Sequence, residues 1–153
     1  TDTFEGSRDR ARSQGARVVD PDAIYDVECG IFAPCALGGV LNSDTIPRLR
    51  CGVVAGGANN QLLHEGDGEA LHRRGILYGP DYVLNAGGII NVSCEIGGEY
   101  SAVRARELTE RIYENVERVI AVSRQEDVPT SVAADRLAER RLKEAREVRR
   151  VSR

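Results

Sequence analysis

Short apolar runs mark the first half of the chain, and long amphipathic stretches fill the second half. The short runs lie at residues 16–19, 30–33, 52–55 and 76–78. Each has the length of a β-strand, and the stretches between them are polar or helical in character, which favours βαβ units and a parallel sheet. The run at residues 30–33 suits a strand that is buried on both faces.

Helices are predicted before, between and after these runs. Residues 3–14 are polar and lack a sustained apolar stripe, which indicates an exposed helix. Helical character returns in the stretch that leads to residue 74. In the second half, one apolar face repeats at helical spacing through Leu108, Ile112, Val116, Val119 and Ile120. Pro129 ends this long helix, and a final helix is expected to run to about residue 150.

Two segments combine adjacent glycines with side-chain amides. Residues 55–61 read Ala-Gly-Gly-Ala-Asn-Asn-Gln, and residues 85–92 begin with an asparagine that two glycines and an apolar run follow. Glycines allow bare backbone to approach a flat ligand closely. Both segments follow predicted strands, and ligands of parallel sheets bind at the carboxyl ends of the strands. We therefore expect the two segments to form one pocket.

Length and composition are those of one soluble globular domain. The chain has 153 residues, of which 41% are hydrophobic and 29% are charged. No apolar run approaches the ~20 residues that a membrane-spanning helix needs, so a membrane protein is not expected. The sequence contains no methionine and opens without the basic and apolar regions of a signal peptide, so we interpret it as a piece of a longer chain.

The cysteines and histidines do not predict a metal site. Cys29, Cys35, Cys51 and Cys94 include no C-x-x-C pair, and two histidines do not complete a zinc-type ligand set. Three of the four cysteines lie in or beside apolar runs, where buried, reduced thiols are the usual state. Reduced thiols favour a cytoplasmic location.

The last part of the chain differs in charge from the rest. Residues 136–153 carry eight Lys and Arg against three Glu, although the whole chain has a net charge of −3. A basic helix can bind phosphates, so a nucleic-acid-binding module is one alternative for the function. Because the glutamates are interspersed and aromatic residues are absent from this stretch, a solvated helix face is the favoured interpretation.

Three long motifs carry a resemblance to a known family. Residues 30–42, 55–62 and 80–92, in this order and spacing, resemble the Glu/Leu/Phe/Val amino-acid dehydrogenases, most closely the leucine dehydrogenases. The stretches at 128–130 and 133–136 are similar too. The resemblance covers nearly the whole chain.

The resemblance implies a fold and a domain organisation. The expected fold is α/β, a Rossmann-like parallel sheet with flanking helices that is followed by C-terminal helices. Residues 1–100 would form a partial NAD-binding domain without its first strand and glycine-rich turn. Residues 101–153 would be C-terminal helices that return toward a substrate domain outside this chain.

The resemblance also implies an activity. The complete protein would use NAD to deaminate an apolar, leucine-like L-amino acid oxidatively to its 2-oxo acid and ammonia. Its partners would be the small-molecule substrate and other copies of the same chain in a homo-oligomer. Neither nucleic acid nor a membrane is expected as a partner. The family keeps its catalytic lysine and aspartate in the missing domain, so no catalytic residue is assigned here and the fragment alone should be inactive. A non-catalytic nucleotide-binding fragment is the alternative, which the upstream sequence would distinguish.

The resemblance assigns cofactor contacts at three places. Asp2 would accept hydrogen bonds from the adenosine ribose hydroxyls and repel the 2′-phosphate of NADP, and its alternative role is a helix N-cap. The adenosine half of the cofactor would also contact a small loop that consists of Cys35, Ala36 and Leu37. The alternative is that this loop is a simple strand-to-helix turn. The nicotinamide end would contact Gly57, Ala58 and Asn59. Family members usually have serine at the Gly57 position, so a hydroxyl is missing there, and the alternative role of Asn59 is helix capping.

Substrate contacts are implied at Asn59, Asn85, Ile89 and Val92. The Asn85 amide would bind the amino acid or the nicotinamide, with glycines 87 and 88 leaving room for the reacting centre. Ile89 and Val92 lie three residues apart on one helix face. The position of Val92 is a serine in the glutamate-specific relatives, so an apolar side chain here favours an apolar substrate. The alternative is that Ile89 and Val92 belong to the hydrophobic core.

Overall fold

Three short parallel strands form the centre of the fold. In the computed structural model of the protein, residues 1–96 and 99–151 are described. Strands β1 (Ile31–Phe32), β2 (Val53–Val54) and β3 (Leu77–Tyr78) lie in the order β1-β2-β3. All pairs are parallel, so the carboxyl ends of the three strands meet at one edge of the sheet. The predicted α/β class with a parallel sheet is confirmed.

Six α-helices and two 3₁₀ turns surround the sheet in the described part of the chain. The helices are α1 (Glu5–Ser13), α2 (Glu65–Arg73), α3 (Asp81–Leu84), α4 (Gly87–Ser93), α5 (Ala102–Glu126) and α6 (Thr130–Val151). The 3₁₀ turns are Ala23–Asp26 and Ile46–Arg48. The helices predicted from polar and amphipathic patterns are therefore present, including the exposed α1, which buries none of its residues.

Two apolar clusters hold these elements together. The larger one lies on the sheet and includes Leu41, Ile46, Val54, Leu71 and Tyr78. The smaller one joins α5 to the first turns of α6 through Val119, Ala133 and Ala134. The Thr130 hydroxyl donates a hydrogen bond of 2.5 Å to the Tyr78 carbonyl, so the start of α6 is fixed to the end of β3.

The strand predicted at residues 16–19 is wrong. These residues follow α1 without regular secondary structure, although Val18 and Val19 are half-buried. In the part of the chain that the structure describes, the sheet consists of β1, β2 and β3 alone. An apolar run without a neighbouring strand has no partners for its backbone groups and does not become a strand.

Burial at the edge of the sheet also differs from the prediction. Ile31 in β1 is 61% exposed, so this strand is not buried on both faces. The cysteines are free but not buried: Cys35 is exposed, and Cys29, Cys51 and Cys94 are half-buried. The apolar runs supply strands of only two residues, so Cys29, Cys35 and Cys51 lie outside the strands, and Cys94 directly follows the last residue of α4.

The basic C-terminal stretch forms the outer part of α6. Residues 138–148 are exposed. Arg136 and Arg140 both pair with Glu126 of α5, and the Arg141 guanidinium donates a 3.0 Å hydrogen bond to the Asn115 side-chain oxygen. Several of the cations are thus engaged within the chain, and residues 152 and 153 lie outside the described residues.

Candidate functional site

Asn59 and Asn85 meet at the carboxyl edge of the sheet. Asn59 lies in the loop after β2, and Asn85 ends the short helix α3 that follows β3. The Asn85 Nδ2 group donates to the Asn59 Oδ1 atom at 2.6 Å and approaches the Gly57 carbonyl oxygen at 3.5 Å. The two glycine-and-amide segments therefore converge, as the sequence predicts.

Gly56 allows the loop of Asn59 to pass directly over the end of β1. A Cβ atom on Gly56 would lie 2.0 Å from the Pro34 carbonyl oxygen and 2.5 Å from the Pro34 nitrogen. The same Pro34 carbonyl accepts a 3.0 Å hydrogen bond from the Ala58 N–H. Only glycine permits this close backbone approach, which determines the path of the loop toward Asn59.

Gln61 shapes the loop from the inside. Its side chain is fully buried, and its Nε2 group donates to the carbonyl oxygens of Gly56 at 2.7 Å and Ala58 at 3.0 Å. These two bonds fold the loop back on itself, so that buried carbonyl groups are satisfied while Asn59 points outward. Asn59 itself is exposed.

Asp81 ties the loop to the segment that carries Asn85. One Asp81 carboxylate oxygen accepts the Asn60 N–H at 2.7 Å, and the other accepts the Tyr78 hydroxyl at 2.8 Å. Asn60 has a left-handed backbone (φ 52°), a conformation that asparagine tolerates better than most residues. Burial, together with the hydrogen bond to Asp81, raises the pKa of the Tyr78 hydroxyl well above its usual range, so Tyr78 remains a donor at physiological pH.

The glycines beside the asparagine pair face open space. A Cβ atom at Gly57 or at Gly88 would meet no atom within 4 Å, and one at Gly87 would make only ordinary contact with Thr109. The backbone at Gly57 and Gly88 is therefore open to contact from outside.

Ile89 and Val92 extend the same face of α4 into solvent. They are 70% and 51% exposed, so the alternative that places them in the hydrophobic core is wrong. Both branched side chains are therefore accessible from outside, and they follow Asn85 by four and seven residues. Exposed apolar and amide side chains that are close in sequence suit a ligand that has one apolar and one polar end.

A cleft opens beside β1, and both strand residues, Ile31 and Phe32, belong to its lining. It has a volume of about 300 Å³, and its walls include Thr1, Cys35, Ala36, Leu37 and Ile31. The Gly57 N–H lies 3.4 Å from the Cys35 sulfur and donates to it, so the cleft and the asparagine pair share one connecting segment. Cys35, Ala36 and Leu37 thus line this cleft, and Cys35 contacts the loop that carries Asn59, whereas Asp2 is not among the residues that line it.

The helix-capping alternatives for Asp2 and Asn59 are wrong. Helix α1 begins after Phe4, and the Asp2 carboxylate accepts the Phe4 N–H at 2.8 Å in a turn that precedes the helix. Helix α2 begins after His64, five residues beyond Asn59. Both side chains therefore lie outside helix caps, and the exposed face of Asp2 can meet a ligand.

Asp81 and Gln61 are the site residues that sequence reasoning missed. An aspartate directly after a proline at the start of a helix is typical of helix capping. A glutamine that follows two asparagines is expected to be one more exposed amide. Only their burial, 8% and 0% exposed, distinguishes them from these common roles.

Neither a cluster of metal-ligating side chains nor a membrane-spanning helix is found in the part of the chain that the structure describes. Across residues 1–96 and 99–151, no three His, Cys, Asp or Glu side chains gather into a group that could hold a metal ion. Within the same residues, each helix is too short or too polar to cross a bilayer.

A parallel sheet with a ligand cleft at the carboxyl ends of its strands defines a Rossmann-like α/β domain. In this protein the loops after β2 and β3 meet at that edge through Asn59 and Asn85. The chain belongs to the Glutamate/Leucine/Phenylalanine/Valine dehydrogenase family, which it matches over residues 2–150.

Characterised relatives agree with this membership. The chain is 53% identical to the leucine dehydrogenase of Geobacillus stearothermophilus over 135 residues, which cover 88% of this chain and 36% of that protein. It is 47% identical to the valine dehydrogenase of Streptomyces coelicolor over 146 residues, or 95% of this chain and 40% of that protein. The crystal structure of L-tryptophan dehydrogenase from Nostoc punctiforme superposes with a TM-score of 0.90 at 43% identity, covering 95% of this chain and 44% of the other. The chain thus spans less than half the length of these relatives.

Proposed function

We propose that this chain is the C-terminal portion of an NAD-dependent dehydrogenase that deaminates an apolar L-amino acid to its 2-oxo acid and ammonia. The observation that carries the proposal is the convergence of Asn59 and Asn85 beside glycines that face open space. In this proposal residues 1–100 are part of the NAD-binding domain, and residues 101–153 return toward a substrate domain elsewhere in the full-length protein. The relatives named above are a leucine, a valine and a tryptophan dehydrogenase. These names support an apolar amino acid as the substrate.

The residues around Asn59 and Cys35 support a dinucleotide as the ligand of the proposed site. The nicotinamide, when bound, accepts the electrons that leave the substrate carbon. Gly57 admits the flat ring without a clash, and the Asn59 and Asn85 amides can orient its carboxamide, its ribose or the substrate amino acid. At the other end, the cleft beside Cys35, Ala36 and Leu37 offers an apolar surface for the adenosine half.

Ile89 and Val92 set the side-chain preference of the proposed substrate site. A glutamate side chain pressed against these two apolar residues would lose hydration without a compensating partner, which costs several kcal/mol. A branched or aromatic apolar side chain meets no such cost. The full-length protein should therefore prefer leucine or valine to glutamate.

Val92→Ser in the full-length protein should lower kcat/KM for leucine about fivefold, because the bound substrate would lose its contact with the two Val92 methyl groups. The same change should bring the kcat/KM for glutamate closer to that for leucine. The measurement is NAD reduction with each amino acid. Val103→Ser alters a similarly exposed valine at the start of α5 and should leave both values unchanged. An unaltered leucine-to-glutamate ratio in Val92→Ser would remove Val92 from the substrate site.

Asp2 should select NAD over NADP. A carboxylate that binds the two ribose hydroxyls contributes about 1.5–3 kcal/mol and repels a 2′-phosphate, so Asp2→Ala should reduce the NAD-to-NADP ratio of kcat/KM by roughly 10- to 100-fold. Asp2→Asn removes the charge and keeps an oxygen for the Phe4 N–H, so it should shift the ratio in the same direction. Asp9→Ala, which breaks the exposed pair with Arg12, is the matched control. Equal ratios in all four proteins would place the ribose elsewhere.

Steady-state assays on the full-length protein test the proposal as a whole. NAD reduction with leucine or valine would support it, and full-length protein that binds NAD without turnover would favour the non-catalytic alternative. A nucleic-acid-binding role is less well supported, because Arg136, Arg140 and Arg141 of the basic helix have partners within the chain. The proposal includes a cytoplasmic location and a homo-oligomer, for which exposed apolar residues such as Phe4 and Tyr113 offer contact surface.

A further inference from the structure

Two hydrogen-bonded ties connect the loop after β2 with the segment after β3. The outer tie is the bond between the side chains of Asn59 and Asn85. The inner tie is the bond from the Asn60 N–H to the Asp81 carboxylate, one helical turn before Asn85. Asp81 is 8% exposed, whereas Asn59 is exposed, so the outer tie is the more accessible of the two to a ligand.

A ligand that uses both amides must compete with the outer tie. The Nδ2 group of Asn85 and the Oδ1 atom of Asn59 are occupied by each other at 2.6 Å, and a substrate or a carboxamide would have to replace that bond. Other bonds hold the loop to the segment after β1, such as the one from the Gly39 N–H to the Asn60 carbonyl at 2.7 Å, but once the outer tie opens, the inner tie joins the loop to the segment after β3. The left-handed backbone of Asn60 makes this point of the loop sensitive, since most conformations of that residue would turn Asn59 in another direction.

We propose that Asp81 is a positioning residue: through the Asn60 N–H it keeps the loop in register with Asn85 while Asn59 and Asn85 exchange their mutual bond for a ligand. This role rests on the proposed dehydrogenase function for its kinetic effect. The Tyr78 hydroxyl donates to the second carboxylate oxygen, so that this buried acceptor is satisfied. Asp81 touches neither cofactor nor substrate in this arrangement.

Asp81→Ala in the full-length protein should lower kcat/KM for the amino acid roughly 10- to 30-fold, because a small displacement of orienting groups is costly to catalysis. The loss should lie mainly in kcat. Asp81→Asn retains an oxygen for the Asn60 N–H and an amide that can donate to the Tyr78 oxygen, so it should restore activity to within about threefold of the parent. Rates are compared at a temperature at which every variant is folded.

Tyr78→Phe is the control for a merely structural role. It removes the buried hydroxyl and leaves the bond between Asp81 and Asn60, so it should lower the unfolding temperature and leave kcat within about twofold. Equal kinetic losses in Tyr78→Phe and Asp81→Ala would overturn the proposal, as would an Asp81→Ala enzyme with full activity. If Asp81→Ala does not fold, it can be combined with Tyr78→Phe, because the double variant leaves no unpaired hydroxyl. The kcat of this double variant should be lower than that of Tyr78→Phe by the loss predicted above.

Hydrogen exchange separates this inference from the proposed function. In the full-length protein without ligand, the Asn60 amide should exchange slowly, and Asp81→Ala should accelerate exchange across residues 57–61 more than Tyr78→Phe does. Rapid exchange of the Asn60 amide in the unaltered protein would overturn the positioning role whatever the activity. A protected amide in a protein that does not oxidise amino acids would leave the role of Asp81 intact and remove the proposed dehydrogenase activity instead.

Discussion

Gly56→Ala should destabilise the protein by about 3 kcal/mol or more, the upper end of the usual effect of overpacking. The added Cβ would lie 2.0 Å from the Pro34 carbonyl oxygen, and the three nearest atoms all belong to the backbone of Pro34. Backbone cannot rotate away as a side chain can. The Pro34 carbonyl is also held in place, since it accepts the Ala58 N–H. The loop after β2 would have to leave the end of β1, and the cleft would lose its shape.

Gly57→Ala is the matched control, one residue along the same loop. Its Cβ would meet no atom within 4 Å, and Gly57 is not among the residues with a positive φ. Its effect on the free energy of unfolding should be within about 0.5 kcal/mol of zero. Denaturant unfolding of the full-length variants measures both changes. If Gly56→Ala is insoluble and Gly57→Ala is soluble, the prediction is also supported. Equal stabilities of the two variants would contradict the close approach of Gly56 to Pro34.

The convergence of the site could be predicted because it follows from chain order. Residues 55–61 and 85–92 both come after apolar runs that form neighbouring parallel strands, and such strands end at one edge of the sheet. The long helix α5 could be predicted from its apolar repeat for a similar reason, since helical periodicity is local in sequence. Both inferences need only the order of the elements.

The supporting contacts could not be predicted, because they depend on the conformation of single residues. The bond from Asn60 to Asp81 needs the left-handed backbone of Asn60, and the inward direction of Gln61 follows from the path that Gly56 permits. The exposure of Ile31 depends on which elements cover β1, and its own apolar sequence does not reveal this. The strand expected at residues 16–19 failed for the same reason, since a strand exists only where a neighbour pairs with it.

The binding roles in the cleft remain predictions, and Asn85 carries the strongest of them. Asn85→Ala in the full-length protein should lower kcat/KM for the amino acid by about 100-fold, the scale of loss that follows when reacting groups are misplaced. The change removes one amide from the cleft and also frees Asn59, whose side-chain oxygen lies 2.6 Å from Asn85 Nδ2. Stability should fall by only about 1 kcal/mol, because the lost hydrogen bond is partly exposed to solvent. Loss of activity should therefore far exceed loss of folded protein.

Asn115→Ala and a double variant show whether the effect belongs to the asparagine pair. Asn115 lies on α5, where its side chain contacts Arg141, and its replacement should leave kcat/KM within about twofold. Asn59→Ala should cause a loss of similar size to Asn85→Ala. The variant that lacks both should be far less impaired than the product of the two losses, because groups that act together are not additive. If the loss in the double variant equals the product of the two single losses, Asn59 and Asn85 serve different ligands. If Asn85→Ala keeps its activity within about threefold of the parent, the amide pair has no role in the reaction.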